Sequence, residues 1–279
     1  MSELGNADQI AYWNGKSGLK WAEDQEKLDA MMQPMADVAV AAAAAQPGES
    51  VIDIGCGTGG TALALADLVG PEGRVLGVDI SKPMLDVARS RIGGRGHVEF
   101  IDADASSAHF EAASADLVFS KFGVMFFADP EAAFRNIRTA VKPGGRLAFI
   151  CWRALAENPF ATIPMGAALK RLPPQPKPDP HAPGPFAFAD PVRVGHILVQ
   201  AGFKTPSFAT FDSSMVIGRK AESAAREAVL MGMASRLLME SSDAVKQQVI
   251  DDLTETYAAH MTPEGVTLPA HCWVVTASA

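Results

Sequence analysis

The stretch VIDIGCGTGG, residues 51–60, combines a carboxylate with an almost bare backbone. Gly55, Gly57 and Gly60 satisfy the pattern GxGxxG, and Asp53 precedes the first of these glycines by two positions. Glycines allow the positive φ angles of a tight turn and let a ligand approach backbone N–H groups closely. A carboxylate at this place would repel a pyrophosphate and favours a ligand that carries an ammonium group. The stretch therefore predicts a site for a small, partly cationic molecule.

Two more aspartates end predicted strands further along the chain. Asp79 closes GRVLGVDI about 24 residues after the first glycine, and Asp104 closes HVEFIDAD. A carboxylate in such a position can accept hydrogen bonds from two vicinal hydroxyls or from an exocyclic amine. Either aspartate could instead cap a helix or a turn, as aspartate often does after a strand.

The segments that carry these residues alternate between strand and helix patterns. SVIDIG and GRVLGVDI are short apolar runs that predict buried parallel strands, and TALALADLVG and KPMLDVARSRI predict helices, the second with Ser81 as its N-cap and Pro83 in its first turn. The alternation continues through HVEFIDAD, ADLVFSKF, DPEAAFRNIRTAV and, after the turn KPGG, GRLAFICW. We therefore expect an α/β fold with a Rossmann-like, seven-stranded, mostly parallel sheet and helices on both faces, plus a helical and loop cap over the strand carboxyl ends.

The chain outside this pattern predicts additions to one large domain. Residues 1–45 are expected to form an N-terminal helical cap whose two helices meet near Pro34. Residues 46–152 form the expected core, and residues 153–279 the expected substrate lid, inserted helices and completing strands. Seven prolines between Leu172 and Phe186 predict an extended surface loop or lid.

Composition argues against several classes of protein. The net charge of −8, without a Lys/Arg block, disfavours nucleic acid and anionic membranes as partners. The three cysteines form no CxxC pair, which suits reduced thiols in a cytoplasm and argues against a structural metal. The longest apolar stretch, residues 35–45, is about half of what a bilayer requires, and the first residues do not resemble a signal peptide. We expect a cytoplasmic protein with a small-molecule partner, no metal and no stable membrane insertion; the oligomeric state is not predictable.

Four ordered motifs together resemble a known family. VIDIGCGTGG, VLGVDIS, DAD and KPGGRLAF are similar to those of the class I S-adenosylmethionine-dependent methyltransferases, in particular the ubiquinone/menaquinone-type group and its small-molecule relatives. The resemblance spans about residues 50–152. It implies S-adenosyl-L-methionine as the cofactor, S-adenosyl-L-homocysteine as its product, and methyl transfer to a small, largely apolar acceptor.

The resemblance also implies cofactor contacts at individual positions. The methionine portion would be held by the first turn and the carboxylate before it, that is by Asp53, Gly55, Cys56, Gly57 and Gly59. Asp79 would accept hydrogen bonds from both ribose hydroxyls, and Ile80 and Met84 would pack on adenine. Asp104 would accept from the adenine amino group and the Ala105 amide would face the ring. Ser120 would lie near the methionine amine.

Methyl transfer itself requires no obligatory catalytic group. It is an in-line displacement that positioning and desolvation can accelerate, with a base needed only if the acceptor must lose a proton. Ligands lie beyond the carboxyl ends of parallel strands, so we expect the acceptor beside SKFGVMFFADP and CWRALAENPF and under YWNGKSGLKW. The residues expected to line its pocket are Tyr12, Trp13, Phe122, Met125, Phe126, Trp152 and Phe160, although such residues are often core. Trp21 and Trp13 could contact the sulfonium by cation–π interaction, and His181 is the weak candidate for a base.

Two other functions remain open at this point. A nicotinamide-dependent oxidoreductase would show the same glycine pattern and predicts a Tyr/Lys pair for proton relay; of the two tyrosines, Tyr12 and Tyr257, only Tyr12 has a lysine at a short helical spacing, Lys16. A protein that binds S-adenosylmethionine without transferring its methyl group would look the same in sequence. Cys56 is expected to be a small packing residue and not a nucleophile.

Overall fold

The computed structural model describes residues 6–175 and 179–279. The helices of this part of the chain are α1 (Ala7–Asn14), α2 (Lys16–Glu23), α3 (Gln25–Ala43), α4 (Gly60–Val69), α5 (Lys82–Ser90), α6 (Pro130–Ala140), α7 (Pro159–Leu169), α8 (Pro191–Gln200), α9 (Ala221–Leu230), α10 (Gly232–Leu237) and α11 (Asp243–Ala258). The strands are β1 (Ser50–Ile54), β2 (Arg74–Asp79), β3 (Val98–Asp102), β4 (Ala115–Lys121), β5 (Val141–Trp152), β6 (Lys204–Gly218), β7 (Met261–Thr262) and β8 (Gly265–Ser278). Short 3-10 helices span Val124–Phe126 and Leu155–Glu157.

The strands form one mostly parallel sheet, which confirms the predicted fold class. Within the described residues its order is β3-β2-β1-β4-β5-β8-β6, and the two-residue β7 adds an eighth strand beside β8. The first five strands pair in parallel. The end of β8 lies beside the start of β5, where the Ala279 N–H donates to the Gly145 carbonyl at 2.9 Å, so β8 runs antiparallel to β5. The glycine turn, which follows the central β1, therefore lies at the carboxyl edge of the parallel strands.

The central strands are buried because helices cover both of their faces. Leu117, Val118 and Phe119 of β4 are fully buried, as are most residues of β1 and β5. Each such side chain contributes roughly 1.5 to 3 kcal/mol through removal from water. This continuous apolar character, without alternation of polar positions, is what the sequence shows for these segments.

The predicted break at Pro34 is wrong. Helix α3 runs through this proline, and the chain breaks instead at Asp24, between α2 and α3. Residues 28, 32, 35, 39 and 43 are buried along one face of α3. The packing of this apolar face outweighs the one backbone hydrogen bond that the proline removes.

The predicted turn KPGG lies within β5. Ala115 of β4 pairs with Val141, and Leu117 pairs with Arg146, so that residues 142–145 form an irregular loop in the ladder. Gly144 has a φ of +82° there. The local turn is therefore correct, and only the assigned start of the strand differs.

The chain divides into two compact units. The sheet unit contains the described residues up to Cys151, together with His181–Phe211 and Cys272–Ala279, and the helical unit contains Trp152–Pro180 and Asp212–His271. The helical unit has a core of its own, in which Tyr257 and Leu253 are fully buried. The three-part division into cap, core and lid, with boundaries at 45 and 152, stays a prediction.

Part of the proline-rich segment lies outside the description of the chain. Residues 176–178 are not described, and residues 173–175 and 179–182 are exposed without regular secondary structure. Among the described helices, none is long and apolar enough to cross a bilayer.

Candidate cofactor site

The glycine turn after β1 is shaped by two close approaches. Gly55 has a φ of +67°, and a Cβ on it would lie 2.7 Å from the Cα of Gly123, which belongs to the turn after β4. Gly57 has a φ of +55°, and a Cβ on it would lie 2.7 Å from the terminal methyl of Met84. At Gly55 both the backbone angle and the space beside the Gly123 backbone require glycine, whereas at Gly57 the positive φ is the constraint, because the Met84 methyl can move. The turn is therefore packed between β4 and α5.

Helix α4 begins directly after this turn with an open N-terminus. Its first residue is Gly60, and its N-cap residue Gly59 has no side chain that could bind the first N–H groups. The unsatisfied N–H groups and the helix dipole attract a polar or anionic group of a ligand. A Cβ on Gly59 would lie 2.9 Å from the Phe100 ring, so this glycine serves packing of the turn on the sheet.

Asp53 holds a buried carboxylate of which one oxygen has no partner. Its Oδ2 accepts a hydrogen bond from the Thr61 hydroxyl at 2.8 Å, whereas its Oδ1 is buried without any hydrogen-bond partner among the described residues. Burial raises the pKa of Asp53 to about 7. Since a buried acceptor without a donor is costly, this oxygen fits a site that is completed by a donor from a ligand, such as an ammonium group.

Asp79, at the end of β2, ties the glycine turn to the neighbouring strand. Its Oδ2 accepts from the Gly57 N–H at 2.7 Å, and its Oδ1 accepts from the Ser81 N–H at 2.8 Å. Burial raises the pKa of Asp79, while these N–H groups act in the opposite direction. Each oxygen keeps a second lone pair, so the carboxylate can still accept from two vicinal hydroxyls. Beside it, Met84 is buried and Ile80 is partly buried.

Asp104 and Ala105 lie in the turn after β3. Asp104 Oδ1 accepts from the Ser106 N–H at 2.9 Å, which is the turn interaction that the sequence left open as an alternative. Asn136 donates its side-chain amide to the carbonyl oxygens of Ala105 and Ala108 at 3.1 and 2.9 Å, and so fixes this turn on α6. The adenine contacts of Asp104 and Ala105 stay predictions.

Ser120 and Cys56 already have partners within the protein. The Ser120 hydroxyl donates to the Ile54 carbonyl at 2.7 Å and accepts from the Gly123 N–H at 3.1 Å, so it joins the ends of β1 and β4. The Cys56 N–H donates to the Val78 carbonyl at 3.2 Å, and burial raises the pKa of its thiol well above the ordinary value. A thiol in this environment is a packing group. The cofactor contacts of both residues stay predictions.

The N-terminal helices are fastened to the loop after β2 by hydrogen bonds that the sequence analysis did not predict. Asn14 donates to the Ile80 carbonyl at 2.7 Å and accepts from the Lys82 N–H at 3.0 Å. The Ser81 hydroxyl donates to the Trp13 carbonyl at 2.7 Å. Ser81 thus occupies the predicted N-cap position, but its side chain does not cap α5. The reason is that the Trp13 carbonyl competes successfully for the hydroxyl.

Trp13 is the centre of an aromatic cluster in the sheet unit. Its ring centroid lies 5.1 Å from that of Tyr12, 5.8 Å from that of Trp21 and 5.4 Å from that of Phe126, with interplanar angles of 84–89°. These edge-to-face contacts connect α1 and α2 with the 3-10 helix after β4. The structure therefore brings together four of the aromatic residues that the sequence placed near the acceptor or the sulfonium.

The other predicted pocket residues are distributed more widely. Phe122 is partly buried and has a φ of +61°, whereas Met125 is buried to 1% exposure. Trp152 and Phe160 belong to the helical unit, where their ring centroids are 4.6 Å apart. His181 lies exposed in a turn of the sheet unit. Contact of these residues with an acceptor, and the role of His181 as a base, stay predictions.

Two charged groups near the glycine turn were also not predicted. Arg91 donates to the Thr58 carbonyl of the turn at 2.7 Å and forms an ion pair with Asp29 of α3 at 2.9 Å. Lys121, the last residue of β4, has its ammonium 6.0 Å from the Phe122 ring centroid. Burial lowers the pKa of Lys121, and the carboxylates of Asp29 and Asp53 oppose this effect. Only the apolar context of a strand end could have drawn attention to this lysine.

Comparison with known proteins identifies the kind of domain that contains the glycine turn. Residues 52–149 match the family model described as a methyltransferase domain. The chain is 40% identical over 105 residues to the ubiquinone/menaquinone biosynthesis C-methyltransferase UbiE of Ectopseudomonas mendocina, which covers 37% of this chain and 41% of that protein. It is 34% identical over 120 residues to the demethylmenaquinone methyltransferase of Lactococcus lactis, covering 42% and 45%. The chain thus spans less than half of the length of either relative.

The fold extends further than this sequence similarity. The crystal structure of a putative methyltransferase from Bacillus halodurans superimposes with a TM-score of 0.58 at 20% identity, covering 87% of this chain and 97% of that one. At this identity the likeness establishes the fold alone. The match to the family model shows that residues 52–149 are a methyltransferase domain, and the four motifs that they carry resemble those of the class I S-adenosylmethionine-dependent methyltransferases.

Proposed function

We propose that this protein binds S-adenosylmethionine at the glycine turn and transfers its methyl group to a small, largely apolar acceptor. The observation that carries the proposal is the buried, unpartnered Oδ1 of Asp53 beside the uncapped N-terminus of α4. A ligand with an ammonium group next to a carboxylate satisfies both features at once. A dinucleotide would instead bring a pyrophosphate close to the Asp53 carboxylate, which is unfavourable.

In this proposal the residues of the site have three roles. The glycine turn and Asp53 hold the amino acid portion of the cofactor, and Asp79 orients its ribose. Ile80 and Met84 contribute apolar contact to the adenine. When bound, the cofactor supplies an electrophilic methyl group on a positively charged sulfur. All other contributions come from the protein through binding, orientation and exclusion of water, and the acceptor must approach in line with the sulfur–carbon bond.

The aromatic cluster around Trp13 supports an apolar acceptor. Trp13, Trp21 and Phe126 offer ring faces and edges that exclude water and stabilise a nearby sulfonium by cation–π interaction. The names of the two relatives refer to quinones, and this suggests phenols and quinols as the first acceptors to examine. The net charge of −8 favours such small molecules over nucleic acid. A cytoplasmic location remains an expectation from the cysteine usage.

The decisive experiment uses labelled S-adenosylmethionine with a panel of phenols, quinols, amines and thiols. We expect labelled product and release of S-adenosylhomocysteine with at least one phenol or quinol. Binding of the cofactor without any labelled product across the panel would favour a protein that does not transfer the methyl group. Tight binding of NADH without binding of S-adenosylmethionine would favour the oxidoreductase and refute the proposal.

A further inference from the structure

We propose that Lys121 binds the carboxylate of the methionine portion of the cofactor, so that Lys121 and Asp53 together recognise an amino acid zwitterion; this rests on the proposed function. The proposal assigns a binding role to a residue that no motif includes. It concerns the end of the cofactor opposite to the nucleoside, where the sequence predicted an acidic partner but no basic one.

The register of the sheet places Lys121 on the same face as Asp53. Asp53 of β1 pairs with Phe119 of β4, and paired residues of parallel strands direct their side chains to the same face. Lys121 follows Phe119 by two residues and therefore shares this face, one step closer to the carboxyl edge of the sheet. The lysine thus lies just beyond the carboxylate, towards the edge of the sheet where the cofactor is expected.

The backbone after Lys121 lies against the glycine turn itself. Phe122 adopts a φ of +61°, which is unusual for a residue with a bulky side chain, and Gly123 then approaches Gly55 so closely that a Cβ on either glycine would lie less than 3 Å from the other residue. The Ser120 hydroxyl fastens the same turn to the Ile54 carbonyl. This arrangement holds the end of β4, including Lys121, at the turn that is expected to carry the methionine portion.

The charged groups around Lys121 are compatible with binding of an anion beside it. The carboxylates that act on it come from Asp53 of β1 and Asp29 of α3. Asp29 already forms an ion pair with Arg91 at 2.9 Å. Asp53 would turn towards a ligand ammonium through its unpartnered Oδ1, and a partly buried lysine beside it then favours a second, negative group. An α-amino acid carries these two groups on one carbon atom.

The alternative is that Lys121 only balances the charge of Asp53 and that the open N-terminus of α4 alone holds the ligand carboxylate. The two roles differ in which ligands they affect. A lysine that contacts the carboxylate matters only for ligands that carry one, whereas a purely structural lysine affects every ligand of the site to the same degree.

The test is calorimetric titration of the full chain with three ligands: S-adenosylhomocysteine, its decarboxylated analogue, which keeps the ammonium, and 5′-methylthioadenosine, which has neither group. The variants are Lys121→Met, of similar length without charge, and Lys121→Arg, which keeps the charge. Lys82→Met is the matched control, because Lys82 is an exposed lysine on α5 that pairs with Asp102. Thermal unfolding of each variant reports its stability.

We expect the Lys121→Met variant to bind S-adenosylhomocysteine about ten- to a hundredfold more weakly, as the loss of a charged hydrogen bond predicts. Its affinity for the other two ligands should stay within about twofold of the unmodified protein, and Lys121→Arg should retain most of the affinity for S-adenosylhomocysteine. An equal loss for all three ligands, or no loss at all, refutes the role of Lys121.

Two results with the unmodified protein also test the role of Lys121 and the proposed function. If the protein binds S-adenosylhomocysteine no better than the decarboxylated analogue, the carboxylate is not recognised and the inference is wrong, even if Lys121→Met fails to fold. If the protein binds none of the three ligands, the proposed function itself fails together with this inference. The two failures are therefore distinguishable.

Discussion

Two buried polar groups without a hydrogen-bond partner lie in contrasting regions of the molecule. Asp53 Oδ1 belongs to the sheet unit and lies near the end of β1, directly before the glycine turn, whereas the hydroxyl of Tyr257 belongs to the helical unit and lies in an apolar core with Val249, Leu253 and Leu268. Burial raises the pKa of both groups. A missing hydrogen-bond partner therefore has different consequences at the two positions. At Asp53 a ligand can supply the missing donor, whereas at Tyr257 the unpaired hydroxyl only lowers the stability of the fold.

The largest expected effect is that of Asp53→Asn. Removal of the buried charge should stabilise the ligand-free protein at pH 8 by roughly 2 to 4 kcal/mol, because a pKa near 7 penalises the ionised form. The same change should weaken binding of S-adenosylhomocysteine by about 1.5 to 3 kcal/mol. Urea denaturation and calorimetric titration measure the two effects, and a loss of stability together with unchanged affinity would contradict the role of this oxygen.

Asp79→Asn should change stability in the opposite direction. Asp79 accepts two backbone N–H groups, so an amide in its place leaves one of these donors facing an NH₂ group. We expect a loss of about 1 to 3 kcal/mol in both stability and cofactor affinity. The same two measurements apply, and unchanged affinity would mean that the ribose assignment is misplaced.

Binding of S-adenosylmethionine should depend on pH through Asp53. The folded-state pKa is raised to about 7, so the carboxylate is ionised above this pH and protonated below it. An ammonium ligand requires the ionised form, and affinity should therefore fall up to about tenfold, or ~1.4 kcal/mol, for each pH unit below 7. The stability of the ligand-free protein has the reverse trend, since the raised pKa stabilises it at low pH and this contribution is lost as the pH rises through 7. Asp53→Asn is the control, and it should remove both trends.

The smallest expected effect is that of Tyr257→Phe. The hydroxyl has no partner among the described residues, and its removal should raise stability by about 1 kcal/mol without opening a large cavity. Cofactor affinity should not change. A clear loss of stability in urea denaturation would show that the hydroxyl has a partner in solution, and a loss of affinity would connect the helical unit with ligand binding.

The position of the glycine turn beside Asp79 was predictable from the sequence. Gly55, Gly57 and Asp79 follow parallel strands, and the topology of such strands brings their carboxyl ends together, which the 2.7 Å bond from the Gly57 N–H to Asp79 illustrates. The predictions that were wrong concern competition between local and tertiary forces. Pro34 does not break α3, and Ser81 donates its hydroxyl to Trp13 and does not cap α5.

The sequence by itself determined the alternation of strands and helices, the order of the motifs and the chemistry of the glycine turn, because apolar periodicity and turn geometry are local properties of the chain. Only the tertiary structure decided which oxygen of Asp53 lacks a hydrogen-bond partner and that Lys121 lies on the same face of the sheet as Asp53. It also decided that the Asn14 side chain bridges Ile80 and Lys82. These relations join residues that are up to about 70 positions apart, and they depend on packing of the whole sheet unit, for which no short stretch of sequence carries a signal.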